Sequence, residues 1–382
     1  MKYIVLIGDG MADWPLRELD GQTPLQVAKT PNMDFLAKYG ATGLARTVPK
    51  GMNPGSDIAN MSIIGFDPKK YYSGRGPLEA ASLGVNLKSG EVAFRCNLVT
   101  IKNDCMHDFT AGHISTSEAK KIIKTINKKI GSSDIIFYPG LSYRHLMVSK
   151  CGGASARCTP PHDITGKNIK KYLPKGKESD FLRDLMFKSS ELLNGKKENM
   201  IWLWGQGKTP KMPLFEQQFG KRGAIITAVD LLKGMAIILG MSVVKVPGVT
   251  GFVDTNYKGK ADYAIRALKN HDIVFVHVEA PDEAGHMGDT KLKIKAIEDF
   301  DKKIVGAVLK SARARKDLRI LVMPDHPTPI KTKTHTAEPV PFVVWGPGII
   351  SDSVNSYNEK EIAKFAQKTI PADFLLKRVL LR

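Results

Sequence analysis

The sequence predicts an α/β fold in which a mostly parallel sheet carries helices on both faces. Short apolar segments alternate with segments whose apolar residues recur at helical spacing, and this alternation is typical of parallel sheets. The chain has 382 residues, of which 42% are hydrophobic and 25% charged, so it can form one large α/β domain and a smaller one.

The first strand is predicted at residues 2–7, because an apolar run without alternation ends there at Gly8-Asp9-Gly10. A helix is predicted after Thr30, where Pro31 follows a capping residue. Further strands are predicted at 272–278, 319–323 and 340–345, and further helices at 225–239 and 290–311.

The middle of the chain differs in composition from its two ends. From about residue 88 to residue 213 it is polar, rich in lysine and interrupted by glycine and proline. We therefore expect a core domain made of residues 1–87 and 214–382. Residues 88–213 would form an inserted α+β domain that binds the substrate and acts as a lid.

The chain is basic, with 57 Lys and Arg against 38 Asp and Glu, which gives a net charge of +19. This charge fits either a solvated basic surface or the attraction of a small anionic substrate. No sequence signature of a nucleic-acid-binding module is present, so nucleic acid is not expected as a partner. The sequence leaves the oligomeric state open.

A cytoplasmic location is expected. No apolar stretch approaches the length of a membrane span, so no membrane association is predicted, and the first predicted strand follows the initial Met directly. Cys96, Cys105, Cys151 and Cys158 fit neither a zinc-site spacing nor a dense disulfide framework, which predicts free thiols.

Acids and histidines occur at metal-ligand spacing in four segments. The residues are Asp9, Asp282, His286, Asp325, His326 and His335. The spacing of Asp282 and His286 puts both side chains on one helical face or along one tight loop. Asp9 could by itself simply cap a turn. Together these residues exceed the needs of one ion and suit two neighbouring divalent cations, which commonly serve phosphoryl transfer.

These acids follow predicted strands, and ligands of such sheets bind beyond the carboxyl ends of the strands. We therefore expect them at one edge of one sheet. Ser56 is the candidate nucleophile, because it follows a Pro-Gly turn and lies at or near the start of a predicted helix. The serine could act only as a cap, but a helix start also stabilises a phosphate and a metal can deprotonate the hydroxyl.

Six segments carry a family resemblance. They are Ile7-Gly-Asp-Gly-Met-Ala-Asp13, Pro54-Gly-Ser-Asp-Ile-Ala-Asn60, Tyr72-Ser-Gly-Arg-Gly-Pro-Leu-Glu-Ala80, Pro281-Asp-Glu-Ala-Gly-His286, Pro324-Asp-His326 and His335-Thr-Ala-Glu-Pro-Val-Pro-Phe342. In this order they resemble the cofactor-independent phosphoglycerate mutases, in the shorter, archaeal-type branch within the alkaline phosphatase superfamily. The resemblance extends to at least Gly348 and is least specific in the middle of the chain.

The resemblance implies an alkaline-phosphatase-like fold and the interconversion of 3-phosphoglycerate and 2-phosphoglycerate without 2,3-bisphosphoglycerate. Ser56 would form a phosphoserine intermediate, and the lid would close to exclude water. The implied ligands are Asp9, Ser56, Asp325 and His326 for one ion, and Asp282, His286 and His335 for the other. Mn²⁺ is the expected ion, with Mg²⁺, Zn²⁺ and Co²⁺ as alternatives.

The substrate contacts carry over less well from the family. The candidates are His113, Arg144, Arg75, Arg222, Lys260 and the pair His162 and Asp163. Arginine suits carboxylates and phosphates because its fork binds two oxygens at once. Each of these residues is equally compatible with a plain surface charge.

Two other reactions remain open at this stage. Homoserine kinases have been proposed in the same branch and would use the same metal ligands with a nucleotide as phosphoryl donor. A metal-dependent phosphatase or sulfatase would use water as the acceptor. The metal motifs do not separate these reactions, so the residues of the inserted domain must.

Overall fold

The computed structural model describes residues 1–352 and 354–380. The strands, in chain order, are β1 Lys2–Gly8, β2 Ala41–Arg46, β3 Val92–Lys102, β4 Cys105–Asp108, β5 Ile135–Leu141, β6 Arg144–Ser149, β7 Met200–Gly207, β8 Gly223–Ile226, β9 Ser242–Val243, β10 Ile273–Val278, β11 Leu318–Pro324, β12 Val340–Trp345 and β13 Thr369–Pro371.

The α-helices, in chain order, are α1 Pro24–Val27, α2 Pro31–Tyr39, α3 Ser56–Ile63, α4 Pro68–Tyr71, α5 Arg75–Ser82, α6 Thr116–Ile130, α7 Asp180–Leu192, α8 Phe215–Phe219, α9 Asp230–Ile238, α10 Tyr257–Ala267, α11 Ala280–Met287, α12 Thr290–Phe300, α13 Gly306–Arg313, α14 Glu359–Phe365 and α15 Ala372–Leu380. Short 3₁₀ turns span Arg17–Leu19, Pro161–Ile164 and Ile169–Lys171, and a π-helical turn spans Asp301–Val305.

The chain forms two compact units. Residues 1–72 and 212–382 make up the core unit, and residues 73–211 make up the inserted unit. The sequence placed the first boundary near residue 88, which is too late. Helix α5 precedes that point, yet it packs on β3 and β7 of the inserted unit, where Ala80 joins a small apolar cluster with Ala93.

The core unit contains the predicted, mostly parallel sheet. Its strand order is β13-β2-β12-β11-β1-β10-β8-β9. Among the described strands of this sheet, β12 pairs antiparallel with β11 and β2, and the other pairings are parallel. Consecutive residues Ile4, Val5, Leu6 and Ile7 of the central strand β1 are fully buried. Because successive side chains of a strand point to opposite faces, helices must cover both faces of this sheet.

Two helix predictions had different outcomes. The helix predicted at 290–311 is confirmed as α12, the π-helical turn and α13 in succession. The helix predicted at 225–239 is wrong at its start, because Ile225 and Ile226 lie in β8 and pair with β10. A short buried strand and a buried helical turn have the same apolar run, so periodicity does not separate them.

The π-helical turn has a structural consequence. Asp301 is fully buried there, and its carboxylate accepts hydrogen bonds from the backbone N–H of Met33 at 2.7 Å and from Asn32 Nδ2 at 2.8 Å. The side chain thus caps the N-terminus of α2, whose own preceding residue Thr30 makes no side-chain cap. An acid at that position also interacts favourably with the helix dipole.

The inserted unit is an antiparallel sheet with helices. β4, β3, β6 and β5 are neighbours in that order, and β7 pairs with β3. Apolar residues of α6 and α7, such as Ile123 and Leu182, pack with Phe94 in the main cluster of this unit. The unit is therefore α+β, as the sequence predicts.

Within the described part of the chain, no helix has both the length and the apolar character that crossing a membrane requires. The four cysteines are free thiols, which confirms the prediction from their spacing.

Candidate metal centre

Three neighbouring parallel strands bring the acidic residues together. Gly8 at the end of β1 pairs with Val278 of β10 and with Pro324 of β11, so these strands end at the same edge of the sheet. Asp9 and Asp325 follow their strands directly, and Asp282 lies in the first turn of α11 after β10. The three carboxylates lie within one small region at this edge, where the sequence placed them.

One group of candidate ligands surrounds Asp282. Single ligand atoms of Asp282, His326 and His335 all lie within 4.8 Å of one another. His286 Nε2 is 3.2 Å from Asp282 Oδ2 and 3.0 Å from His335 Nε2. His286 Nδ1 lies 3.0 Å from the carbonyl oxygen of Lys333, so one ring proton belongs on Nδ1, and the neutral ring would present its Nε2 lone pair to the group. Such converging lone pairs fit a cation.

A second group surrounds Asp9 and includes a residue that the sequence reasoning missed. Asp9, Asp325 and His277 are buried, and His277 Nε2 lies 3.4 Å from Asp9 Oδ2 and 3.6 Å from Asp325 Oδ2. Asp325 also accepts hydrogen bonds from the backbone N–H of Gly10 at 3.0 Å and from Asn60 Nδ2 at 2.9 Å. Asp9 Oδ1 is buried and accepts no hydrogen bond from the described residues.

Ser56 lies beside both groups. It is the first residue of α3, directly after Gly55, and therefore lies one position beyond the helix cap. Its Oγ is 3.2 Å from His326 Nε2, and the same nitrogen is 3.5 Å from Asp9 Oδ1. Asn60, one turn further along α3, donates a hydrogen bond to the carbonyl oxygen of Ser56 at 2.9 Å. The serine hydroxyl is thus held among the gathered acids and imidazoles.

Burial and neighbouring charges shift the protonation equilibria of the site, which holds three carboxylates close together. Burial, together with the nearby charges of Asp325 and Asp282, raises the pKa of Asp9 well above its ordinary value. Burial by itself would lower the pKa of His286, but the hydrogen bond to Asp282 outweighs it and raises that pKa to about 9. Burial lowers the pKa of His326 to about 4. Two divalent cations would offset this charge, so the residues fit the ions that the sequence implied.

Lys260 was predicted as a substrate contact, but the structure places it beneath the site. Its ammonium is fully buried, 2.6 Å from Glu279 Oε2 and 2.7 Å from the carbonyl oxygen of His277. A buried lysine needs such partners, and these two oxygens accept hydrogen bonds from two of its three N–H donors. Lys260 therefore supports the end of β10 and is not available to a substrate.

A second buried lysine joins two loops of the site. Lys293 Nζ lies 2.7 Å from Asp13 Oδ2 and donates to the carbonyl oxygens of Thr328 at 2.9 Å and Ala12 at 3.2 Å. The hydroxyl of Thr328 in turn donates to Asp282. The pair of Lys293 and Asp13 thus ties the loop after β1 to the loop after β11.

Arg222 lies at the wrong edge of the sheet for a substrate contact. It directly precedes β8, and its Nε is 3.8 Å from Oδ2 of Asp272, which directly precedes β10. Both residues are at the amino ends of parallel strands, whereas Asp9 and Asp325 follow carboxyl ends. The prediction failed because sequence distance from a motif does not tell which end of a strand a residue occupies.

In the inserted unit, two predicted arginines lie near a third that was not predicted. The guanidinium carbon of Arg95 is 4.4 Å from the centre of the Trp204 ring, and that of Arg75 is 5.7 Å from it. Arg95 is buried and pairs with Glu79 at 2.8 Å. Burial lowers the pKa of Arg95 below its ordinary value. The charge of Glu79 opposes this shift, and the charges of Arg75 and Arg144 add to it. These residues form the arginine cluster, Arg75, Arg95 and Arg144.

The remaining candidates divide between two places in the inserted unit. The ring of His162 lies 5.3 Å from that of Trp204, next to the arginine cluster, and its Nε2 is 3.6 Å from Asp163 Oδ1. His113 instead lines a separate depression together with Lys196 and other polar residues. Its backbone has a positive φ of 54°, in a loop whose shape is fixed by hydrogen bonds to Asp108.

Comparisons with known proteins agree with the motifs. A family model described as 2,3-bisphosphoglycerate-independent phosphoglycerate mutase matches residues 37–199. The protein of that name from Methanosarcina barkeri is 53% identical over 98% of this chain and 98% of its own length. The one from Methanothrix thermoacetophila is 48% identical over the whole of both chains.

Two solved structures extend the comparison. A protein from Pyrococcus horikoshii superimposes with a TM-score of 0.84 at 30% identity, covering 99% of this chain and 96% of that one. The cofactor-independent phosphoglycerate mutase from Thermoplasma acidophilum gives a TM-score of 0.66 at 25% identity, covering 100% of this chain and 99% of that one.

Proposed function

The chain belongs to the 2,3-bisphosphoglycerate-independent phosphoglycerate mutase family, and we propose that it interconverts 3-phosphoglycerate and 2-phosphoglycerate through a phosphoserine at Ser56. The observation that carries the proposal is the position of Ser56 Oγ, 3.2 Å from His326 Nε2 and beside both groups of candidate ligands. A hydroxyl in that position can accept a phosphoryl group and return it to a neighbouring hydroxyl of the same substrate.

The proposed cofactors are two divalent ions, with Mn²⁺ as the expected species and Mg²⁺, Zn²⁺ or Co²⁺ as alternatives. Carboxylate and imidazole ligands suit these ions. When bound, such ions favour ionisation of a serine hydroxyl and offset the charge of a phosphoryl group. Asp282, His286 and His335 would hold one ion, and Asp9 and Asp325 the other. His326 lies between the two groups and contacts Ser56 as well as Asp9.

The fold around Ser56 supports its role as nucleophile. The residue opens α3, and the free N–H groups of that first turn favour an anionic group at the helix N-terminus. Asn60 bonds both to the Ser56 carbonyl and to Asp325 Oδ2, so the start of the helix is tied to the ligands. The hydroxyl is therefore held in place before any substrate arrives, which lowers the entropic part of the barrier.

The arginine cluster of the inserted unit is the proposed binding group for a phosphate or carboxylate. The arginine cluster offers three guanidinium groups, and the buried Arg95 leaves its Nε without a hydrogen-bond acceptor among the described residues. A phosphate or carboxylate would provide acceptors in the bidentate geometry that arginine prefers. Arg144 is exposed and free to approach such an anion.

A paired assay tests the proposed reaction. With Mn²⁺ and 3-phosphoglycerate, and without added bisphosphoglycerate, the protein should form 2-phosphoglycerate. The same preparation with homoserine and ATP should form no phosphohomoserine, and neither mixture should release phosphate in proportion to turnover. Formation of phosphohomoserine would establish the kinase instead, and stoichiometric phosphate release would establish a phosphatase.

A further inference from the structure

His277 occupies an unusual place for a histidine. It is fully buried in β10, one residue before the end of the strand, among otherwise apolar strand residues. Its Nε2 faces Asp9 and Asp325, at 3.4 Å and 3.6 Å, and its Nδ1 lies 3.3 Å from Glu279 Oε1. The ring therefore spans from the candidate ligands to a carboxylate behind them.

Glu279 is held firmly in its ionised form. Its Oε2 accepts from Lys260 Nζ at 2.6 Å, and its Oε1 accepts from the hydroxyl of Thr227 at 3.0 Å and from the backbone N–H of Ala228 at 2.7 Å. A carboxylate with these donors has no proton of its own to give to His277. The proton between them therefore belongs to Nδ1, and when the imidazole is neutral its lone pair is on Nε2.

In the neutral form that lone pair points at two carboxylates, and one ligand atom of each of Asp9, His277 and Asp325 lies within 4.8 Å of the others, which is a geometry that a cation would satisfy. Asn60 Nδ2, 3.5 Å from His277 Nε2, already donates to Asp325 and is too far away to serve. Asp9 Oδ1 is buried without a hydrogen-bond donor among the described residues. A carboxylate-bonded histidine with a free second nitrogen is the usual arrangement behind a metal ion.

We propose that His277 is a direct ligand, through Nε2, of the ion held by Asp9 and Asp325, and that Glu279 and Lys260 fix the orientation of its ring. The inference rests on the proposed two-metal site and adds a ligand to the set that the family resemblance implies. As a neutral ligand, His277 would strengthen the binding of the ion without adding further negative charge to a buried site.

The alternative to a metal ligand is a positively charged His277 in the same position. If His277 carried a second proton on Nε2, it would be an internal cation paired with Asp9 and Asp325, and it would repel an ion placed between them. The two arrangements make opposite predictions for metal binding. They can therefore be separated without any measurement of turnover.

The decisive measurement uses the unaltered protein. A crystal structure of the protein soaked in Mn²⁺, with anomalous scattering to locate the ions, should place an ion at a bonding distance of about 2.1 Å from His277 Nε2. An ion that binds Asp9 and Asp325 but stays beyond bonding distance of that nitrogen would overturn this inference alone. If no ion were found at either group, the proposed function would fail as well.

A variant measurement gives an independent result in solution. His277→Gln should weaken the binding of one of two Mn²⁺ equivalents by roughly 10-fold or more in a calorimetric titration, since the site loses a ligand. His271→Gln is the matched control, because His271 lies outside the site and bonds to Ser242 and to the carbonyl oxygen of Ala267. Unchanged or tighter Mn²⁺ binding by folded His277→Gln protein would support the internal cation and contradict the proposal.

Discussion

The two units of the chain differ in the exposure of the cations near their candidate binding groups. In the core unit, Lys260 and Lys293 are fully buried, and each is paired with a carboxylate at 2.6–2.7 Å. In the inserted unit, the buried ionisable side chains among the described residues include Arg95 and His145, while Arg144 is exposed. Both units thus bury cations against carboxylates, but the arginine cluster of the inserted unit also includes the exposed Arg144.

The difference indicates a division of labour. A buried charge is tolerated only when it is paired, so each pair in the core unit also fixes the loops that it joins. Exposed arginines are less constrained by the fold and can be altered with little effect on it. We therefore expect changes in the core unit to affect chemistry or stability, and changes at the arginine cluster to affect substrate affinity.

The largest effect is expected at the nucleophile. Ser56→Ala should lower kcat by at least about 10⁴-fold, because it removes the hydroxyl that lies 3.2 Å from His326 Nε2 at the start of α3. Ser62→Ala is the control in the same helix, since the Ser62 hydroxyl donates to the carbonyl oxygen of Ile58. Steady-state rates and urea midpoints of both variants are the measurement. Near-normal turnover of Ser56→Ala would require another nucleophile.

A smaller but still large effect is expected on stability. Lys293→Met leaves Asp13 buried without its counter-ion, which should reduce the free energy of unfolding by about 3–5 kcal/mol. Lys295→Met removes a pair with Asp299 on the exposed face of the same helix and should cost less than about 1 kcal/mol. Urea unfolding measures both. If the two variants lost the same free energy of unfolding, the buried pair would be no more important for stability than the exposed pair, and the prediction would be wrong.

At the arginine cluster the expected effect is on affinity. Arg144→Met should raise KM for 3-phosphoglycerate roughly 10-fold, the loss of one charge-assisted hydrogen bond, with little change in kcat. Lys188→Met, which removes an exposed pair with Asp184 on α7, is the control and should leave both constants unchanged. If kcat fell as strongly as affinity, the cluster would take part in the chemistry and the division between the units would not hold.

The sequence predicted the parts of the site that follow strand ends. Asp9 and Asp325 each come directly after an apolar run, and the parallel order of the strands brings such positions to one edge. Asp282 and His286 could be paired by helical spacing alone. These predictions required only local patterns, together with one general property of parallel sheets.

The sequence did not predict contacts that depend on which strands are neighbours. His277 is a single histidine inside an apolar strand, and its partners Asp9 and Asp325 are distant in the chain. An ionisable residue in a buried strand was the one signal that could have identified it. Arg95 is likewise enclosed in the long strand β3, and Arg222 was assigned to the wrong edge because its pairing with Asp272 depends on the fold.

The smallest expected effect is a pH dependence of stability in the inserted unit. It comes from His145, whose pKa is strongly lowered. His145 is buried and accepts a hydrogen bond at Nδ1 from the backbone N–H of Gly140 at 3.0 Å, and burial lowers its pKa to about 3. Below the ordinary histidine pKa of about 6.5, His145 binds a proton in the unfolded chain but stays neutral in the folded protein. The contribution of His145 to stability is therefore fully present above that pH and is lost as the pH falls toward 3. Between pH 6.5 and 5.5 this should cost about 1 kcal/mol.

Urea unfolding at several pH values, with His145→Gln beside the unaltered protein, isolates that contribution. The variant should lose the added pH dependence, because glutamine can accept the bond from Gly140 without titrating. His107→Gln, at an exposed position of the same unit, should keep it. If His145→Gln retained the full decline, other buried groups would account for the acid sensitivity and the predicted contribution of His145 would be wrong.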